Sequence, residues 1–253
     1  MIHAHSTLKL GRPGGPSTQH KLRFATFVDK TKVQAPAFAF GAKRKTGMFG
    51  NNRVGNCTCA TIAGQLVYDA AAHGESIDFG DDAVIKLYEG SGYKPGDSST
   101  DNGWSMEAAD SAAQHTGLVD TSGVVRKTGP SLQINYHDPI ELQIALDMFG
   151  SVRIGAALPL SAQDTSNVWD TDGSGGNQEP GSWGGHSDLL VHFERGLWTF
   201  HTWGGPQDAT DAWRDRYVDE AIVAVDPLWC SKARPAPDGF LIDDLIAAMA
   251  VLR

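Results

Sequence analysis

Along this chain the apolar residues repeat at helical spacing up to about residue 150 and at strand spacing beyond it, until a last helical stretch. Helices followed by strands segregate rather than alternate, which predicts an α+β fold over a parallel α/β sheet. The first helix is the most sharply bounded. Asn56 supplies an N-cap and Gly74 a C′ stop, and Cys59, Ile62, Ala63, Leu66, Val67 and Ala70 between them form one buried stripe. A second helix is expected over 81–89, and a third from Ser105 to Gly117 on Met106, Ala109, Ala112 and Ala113. A fourth opens on Asp138-Pro139-Ile140-Glu141, which combines an N-cap, proline at N1 and a capping-box acid, and closes at Gly150. Strands are expected near 152–158, 186–194, 196–203 and 217–225, and a terminal helix over 239–252. Lys21–Val28 alternates weakly, as a strand would, and 29–56 reads as a Gly-punctuated surface connection.

The formal net charge of −9 sums two unlike segments. Residues 1–53 carry ten Lys/Arg against the single acid Asp29, a charge of +9, and the remaining 200 residues carry −18. Residues 1–44 therefore predict an extended basic N-terminal arm before an acidic body over 45–237, with the C-terminal helix in 238–253. Such arms lie on acidic protein partners or assemblies, so the arm is where a partner is expected. The body would repel phosphate, and no aromatic-basic interleaving appears, which argues against a nucleic-acid partner. There is no phosphate-binding Gly-x-x-x-x-Gly-Lys loop and no dinucleotide fingerprint, so no cofactor is expected. Asp170-Thr171-Asp172-Gly173 has the look of a calcium loop but lacks the later bidentate acid, and reads as an acidic turn. No run of 18 apolar residues is present, so no membrane span is expected, and the first residues lack the apolar core of a secretory signal. Three cysteines, Cys57, Cys59 and Cys230, are too few and odd in number for a disulfide framework, which predicts a reducing compartment.

A thiol attacks only as thiolate, and a helix N-terminus favours that anion through its unpaired N–H groups and dipole. Cys57 sits at such a start, after the Gly55-Asn56 turn, whereas Cys59 falls on the buried stripe. Cys57 is thus the reactive candidate and Cys59 a packing residue. A thiolate hydrolase also needs a base and a group that orients it. The best downstream base is His186, which follows Gly184-Gly185 at the start of a strand. The next strand returns through Arg195-Gly196 and should bring His201 near His186.

Taken in order, Gly55-Asn56-Cys57, Gly184-Gly185-His186 and His201-Thr202-Trp203-Gly204 resemble the papain-like cysteine peptidases. Those show Gly-x-Cys at a helix start, a Gly-His strand and an Asn-Ser-Trp-Gly segment. His186 and His201 follow Cys57 by 129 and 144 residues, beside the family's separation of about 130–150. Asn102-Gly103-Trp104, ahead of the Ala-rich helix, is similar to the family's Gly-Gly-x segment. The resemblance implies a papain-like fold, with a helical half over about 45–135, a β-barrel-like half over about 136–230 and a cleft between. It implies Cys57 as nucleophile and His186 as base, with His201 in the place of the orienting Asn. Asn51, six residues before Cys57, stands where the family has the Gln that completes an oxyanion hole with the Cys N–H. Trp203 matches the Trp that shields the base, while Thr58 replaces the Trp that follows the nucleophile, and the family's disulfide cysteines are absent.

The implied chemistry is cleavage of a peptide or amide bond through a thioester acyl-enzyme, on a peptide or protein substrate, with no metal. The alternative is a catalytically silent papain-fold module, including a phage virion component attached through its basic arm. Cytoplasmic or virion-associated placement follows. A zinc site from Cys57, Cys59, His186 and His201 is a rival, although a helix points the two cysteines apart. Asp188 and His192 share the strand face of His186 and read as a surface ladder.

Overall fold

The computed structural model describes residues 8–13, 22–40, 46–171 and 175–252. A short strand, β1 (Phe38–Phe40), precedes three helices: α1 (Cys57–Ala72), α2 (Asp81–Tyr88) and α3 (Met106–His115). A small hairpin of β2 (Leu118–Val119) and β3 (Val125–Arg126) and strand β4 (Ser131–Gln133) lead to α4 (Pro139–Phe149). Strands β5 (Val152–Leu158), β6 (Gly184–Glu194), β7 (Leu197–Thr202) and β8 (Gly205–Thr210) follow, then α5 (Asp211–Tyr217) and β9 (Val218–Ala224). Two helices, α6 (Pro227–Cys230) and α7 (Ile242–Leu252), close the described chain. The caps act as their sequence suggests at α3 and α4, where Ser105 Oγ accepts from the Ala108 N–H and Asp138 from Ile140 and Glu141.

One antiparallel sheet runs β4-β9-β5-β6-β7-β8, with β1 continuing along β6 where β5 stops. The expected barrel-like half is corrected to this open sheet. Its two edge strands do not meet: β4 is flanked by a bridge from Arg23 and β8 by one from Trp169, so loops cover the edges. The segment 205–217 carried no strand or helix signal. Gly205–Thr210 is extended because the free edge of β7 offers a full ladder to it, which overrides weak propensity.

Residues 22–40 also depart from expectation. Phe24–Phe27 is a 3-10 turn rather than a strand, and Phe24, Phe27, Val28 and Ala39 are buried in the main core. Phe24 packs edge-on to Phe149, and Val28 bridges to Phe240. This stretch therefore belongs to the body and not to an extended arm. Of the ten bases near the start, Lys21, Lys43, Arg44 and Lys45 lie outside the described residues.

Two cores flank α1. One is built by the sheet, α4, α5 and the C-terminal segments, and the other by α1, α2 and α3. The expected single stripe on α1 is corrected to near-complete burial from Cys57 to Tyr68. Its second face meets the sheet through small and hydrogen-bonding residues: Thr61 Oγ1 lies 2.9 Å from Ser187 Oγ, and Gln65 Nε2 donates to the Ala224 carbonyl at 3.0 Å. Polar letters on a helix conceal a buried face when their partners lie across a sheet. Among the described residues no helix is long and apolar enough to cross a membrane.

A buried ion pair joins the two halves: Arg153 on β5 bonds Asp110 on α3, and Ser131 Oγ donates to the other carboxylate oxygen at 2.6 Å. Truncating one member strands the other charge in the interior. Arg153→Ala is expected to lower unfolding free energy by about 3–5 kcal/mol, measured by urea denaturation. The double replacement Arg153→Met/Asp110→Leu should recover most of that loss.

Candidate active site

Helix α1 starts at Cys57 without a side-chain cap. Asn56 holds the N-cap position, but its Nδ2 donates to the Phe49 carbonyl at 2.8 Å and pins the preceding turn instead. The first-turn N–H groups thus keep their anion-stabilising capacity. The turn itself is anchored by residues the sequence did not single out. The Gly55 N–H donates to Asp101, Tyr88 donates to Asp101 Oδ1 at 2.8 Å, and the Gly103 N–H donates to the Tyr88 oxygen at 2.8 Å. This network locks the turn before Cys57 to the 101–104 loop.

Across from α1, β6 presents His186. Cys57, His186, Asn51, His201, Thr202 and Trp203 line one cavity of about 20 Å³, room for roughly one water. Trp203 stacks on the imidazole with ring centroids 4.3 Å apart and planes 22° from parallel. His186 Nε2 lies 3.0 Å from Thr202 Oγ1 and 3.5 Å from Asp188 Oδ1. Its Nδ1 is buried with no hydrogen-bond partner, which leaves it as the basic nitrogen of the cavity.

His201, expected beside His186, is turned to other partners, and the neighbour of His186 Nε2 is Thr202, one residue on. His201 Nδ1 lies 3.2 Å from Thr46 Oγ1 and 3.3 Å from the Tyr68 hydroxyl, and the ring packs edge-on to Tyr68. Alternate strand residues point to opposite faces, so a one-residue offset in register exchanges the two roles. The surface ladder is also corrected: Asp188 is 0 % exposed, beside His186, and only His192, 3.9 Å from Glu194, stays near solvent. The i, i+2 spacing of His186 and Asp188 was the available signal. Asn51 is buried and spends one amide N–H on the Val54 carbonyl at 3.2 Å, and the amide's second N–H remains. Cys59 lies in the helical-half core, so the four zinc candidates do not converge on one point.

The resting site is electrostatically quiet. Burial pushes the Cys57 thiol up to about 12, against the Ser187 and Gly11 N–H groups, which favour the thiolate. Burial also drives the His186 imidazole down to about 3 and the Asp188 carboxyl up to about 7, the latter opposed by the neighbouring Thr202 hydroxyl and the Arg12 charge. Thiol and imidazole are both neutral at pH 7.

The chain's own segment Leu8–Pro13 lies across this site as a strap. The Trp203 Nε1–H donates to the Lys9 carbonyl at 3.2 Å, the Trp104 N–H to the Gly11 carbonyl at 2.7 Å, and the Arg12 N–H to the Gly185 carbonyl at 3.2 Å. The approach is so close that a Cβ at Gly11 would lie 1.8 Å from the Gly55 oxygen, and one at Gly185 2.2 Å from the Arg12 oxygen. The Leu10–Gly11 peptide turns its N–H, not its carbonyl, to the thiol. A peptide held this way covers the Cys57 thiol without turning a carbonyl carbon to it.

A thiolate appears only as pH rises towards a raised pKa. Alkylation of Cys57 in the unmodified chain is expected to rise continuously from pH 6 to pH 10 with no plateau. A plateau reached below pH 8 in that chain would show that burial does not control the thiol.

No family model and no curated protein matches this sequence. Solved structures do. Xylellain, a cysteine protease from Xylella fastidiosa, superposes with a TM-score of 0.68 at 12% identity, over 89% of this chain and 99% of its own. Digestive procathepsin L 3 of Tenebrio molitor larval midgut gives 0.61 at 12% identity over 87% and 77%. The proform of the ragweed pollen cysteine protease Amb a 11 gives 0.57 at 15% identity over 77% and 67%. At such identities the likeness speaks for architecture: this chain has the fold of the papain-like cysteine proteases.

Proposed function

We propose that the chain is a latent thiol hydrolase that cleaves a peptide or amide bond. One observation carries this reading: Cys57, at an uncapped helix start, shares a cavity with His186, whose Nε2 is held by Thr202. With the strap displaced and the cleft hydrated, Cys57 Sγ attacks the substrate carbonyl carbon as its proton passes to His186 Nδ1. The Cys57 N–H and the remaining Asn51 amide N–H face the developing oxyanion. The imidazolium is stabilised by Thr202 and Asp188. The C–N bond then breaks as His186 returns the proton to the leaving amine. His186 next takes a proton from water, whose oxygen attacks the thioester, and Cys57 leaves as the acid is released. No metal or cofactor enters these steps.

A catalytically silent module, held to an acidic partner or assembly such as a virion through its basic N-terminal residues, is the second reading. The sealed cleft favours it. An activated ester of an acyl-amino acid separates the two. The hydrolase reading expects a burst of leaving group and a mass increment of one acyl group on Cys57, absent in Cys57→Ala. The silent reading expects neither, even when the strap is displaced.

A further inference from the structure

The strap also carries information about what the cleft holds. Arg12 is 4 % exposed and faces two carboxylates: its Nη2 lies 2.8 Å from Asp219 Oδ1 and 2.9 Å from Glu220 Oε2, and its Nε 3.3 Å from Glu220 Oε2. Glu220 is itself 1 % exposed. Two acids facing one guanidinium make a cation pocket: the buried Glu220 and the partly buried Asp219 both reach the Arg12 Nη2.

The backbone is shaped for the same group. On β5, Gly155 pairs with Glu220 of β9 at a register shift, and a Cβ there would lie 2.5 Å from the Arg12 Cζ and Nε. No side chain fills β5 at the spot where the guanidinium lies. The main-chain bonds from Trp104 and to Gly185 would serve any extended peptide; only the acids and the missing Cβ select a side chain. A planar guanidinium matches the spacing of two carboxylates better than an ammonium does.

We propose that Gly155, Asp219 and Glu220 form the specificity pocket of the cleft, and that its substrates are peptides bearing an arginine side chain that competes with Arg12 for this pocket. The word substrate rests on the hydrolase reading; the pocket's preference for arginine does not.

The test uses the full chain carrying Gly11→Ala, whose Cβ collides with the Gly55 carbonyl, or Arg12→Ala, which empties the pocket directly. A fluorescent peptide with the sequence of residues 8–13 is compared by anisotropy with its counterpart containing citrulline, which keeps shape and removes charge. The arginine peptide is expected to bind at least about tenfold more tightly, as charge-assisted bonds do, and Glu220→Gln should erase the difference. Equal binding of both peptides, or binding of neither by variants with native circular dichroism, overturns the proposal. Should neither variant fold, the unmodified chain decides. Millimolar arginine amide is expected to accelerate Cys57 alkylation by competing with Arg12, and citrulline amide is not; equal effects overturn the proposal. Arginine-selective binding without turnover would sink the hydrolase reading alone, and turnover without arginine preference would sink the pocket alone.

Discussion

Arg12→Ala is expected to accelerate alkylation of Cys57 at pH 7 on the order of a hundredfold. The size follows from two opposing effects. With the strap in place burial, the largest influence, holds the thiol up to about 12, although the Arg12 charge itself favours the thiolate to a smaller degree. Exposure that returns it to an ordinary thiol value of about 8.5 raises the thiolate fraction at pH 7 about a thousandfold or more. Intrinsic nucleophilicity falls as pKa falls, cancelling roughly half of that exponent. Unblocking the approach to Sγ then adds to what survives. Arg12 is the residue to remove because its two ion pairs are the only charged anchors of the strap among the described residues. Rates from iodoacetamide labelling read by intact mass check the prediction. Alkylation unchanged within a factor of two would mean that the strap does not control the thiol.

The second large effect concerns His186. In the Arg12→Ala chain, His186→Ala is expected to lower acylation of Cys57 by about 10²–10⁴, the usual contribution of a positioned general base. Thr202→Val should cost less, about tenfold, and should move the lower limb of the pH–rate profile, because the imidazolium loses its Nε2 partner. His201→Asn should leave that limb in place, since its ring nitrogens serve Thr46 and Tyr68. A shift caused by His201→Asn and not by Thr202→Val would restore His201 as the orienting residue.

Those two substitutions also mark the boundary of what could be read from the residues alone. Elements with their own caps or periods were legible, α1 by its period and α3 and α4 also by their caps: these helices begin at Cys57, Met106 and Pro139, and β5, β6, β7 and β9 fall where alternation placed them. Cys57 and His186 were legible as candidates for the same reason, since each stands at the start of such an element, and both line one cavity. The pairing of His186 was not. Motif order assigned it to position 201, whereas register across β6 and β7 decides which neighbour turns inward, and β6 carries a bulge between Leu190 and His192. Asp101 and Tyr88 were invisible because their work is to bind a backbone turn far away in sequence. The strap was hidden for a further reason. Lys9 and Arg12 count as surface charge in any composition argument until Asp219 and Glu220 are seen around Arg12. The charge contrast between the chain's start and its body thus has one intramolecular expression at the cleft.

Cys57 as a cleft nucleophile paired with His186 is tested most directly by mapping the label after brief exposure of the Arg12→Ala chain to a small thiol electrophile at pH 6.5. The account predicts that Cys57 is labelled ahead of Cys59 and Cys230, and that this preference disappears in His186→Ala. Slow and equal labelling of Cys57 and Cys59, rising with pH as ordinary thiols do and indifferent to His186, would contradict it.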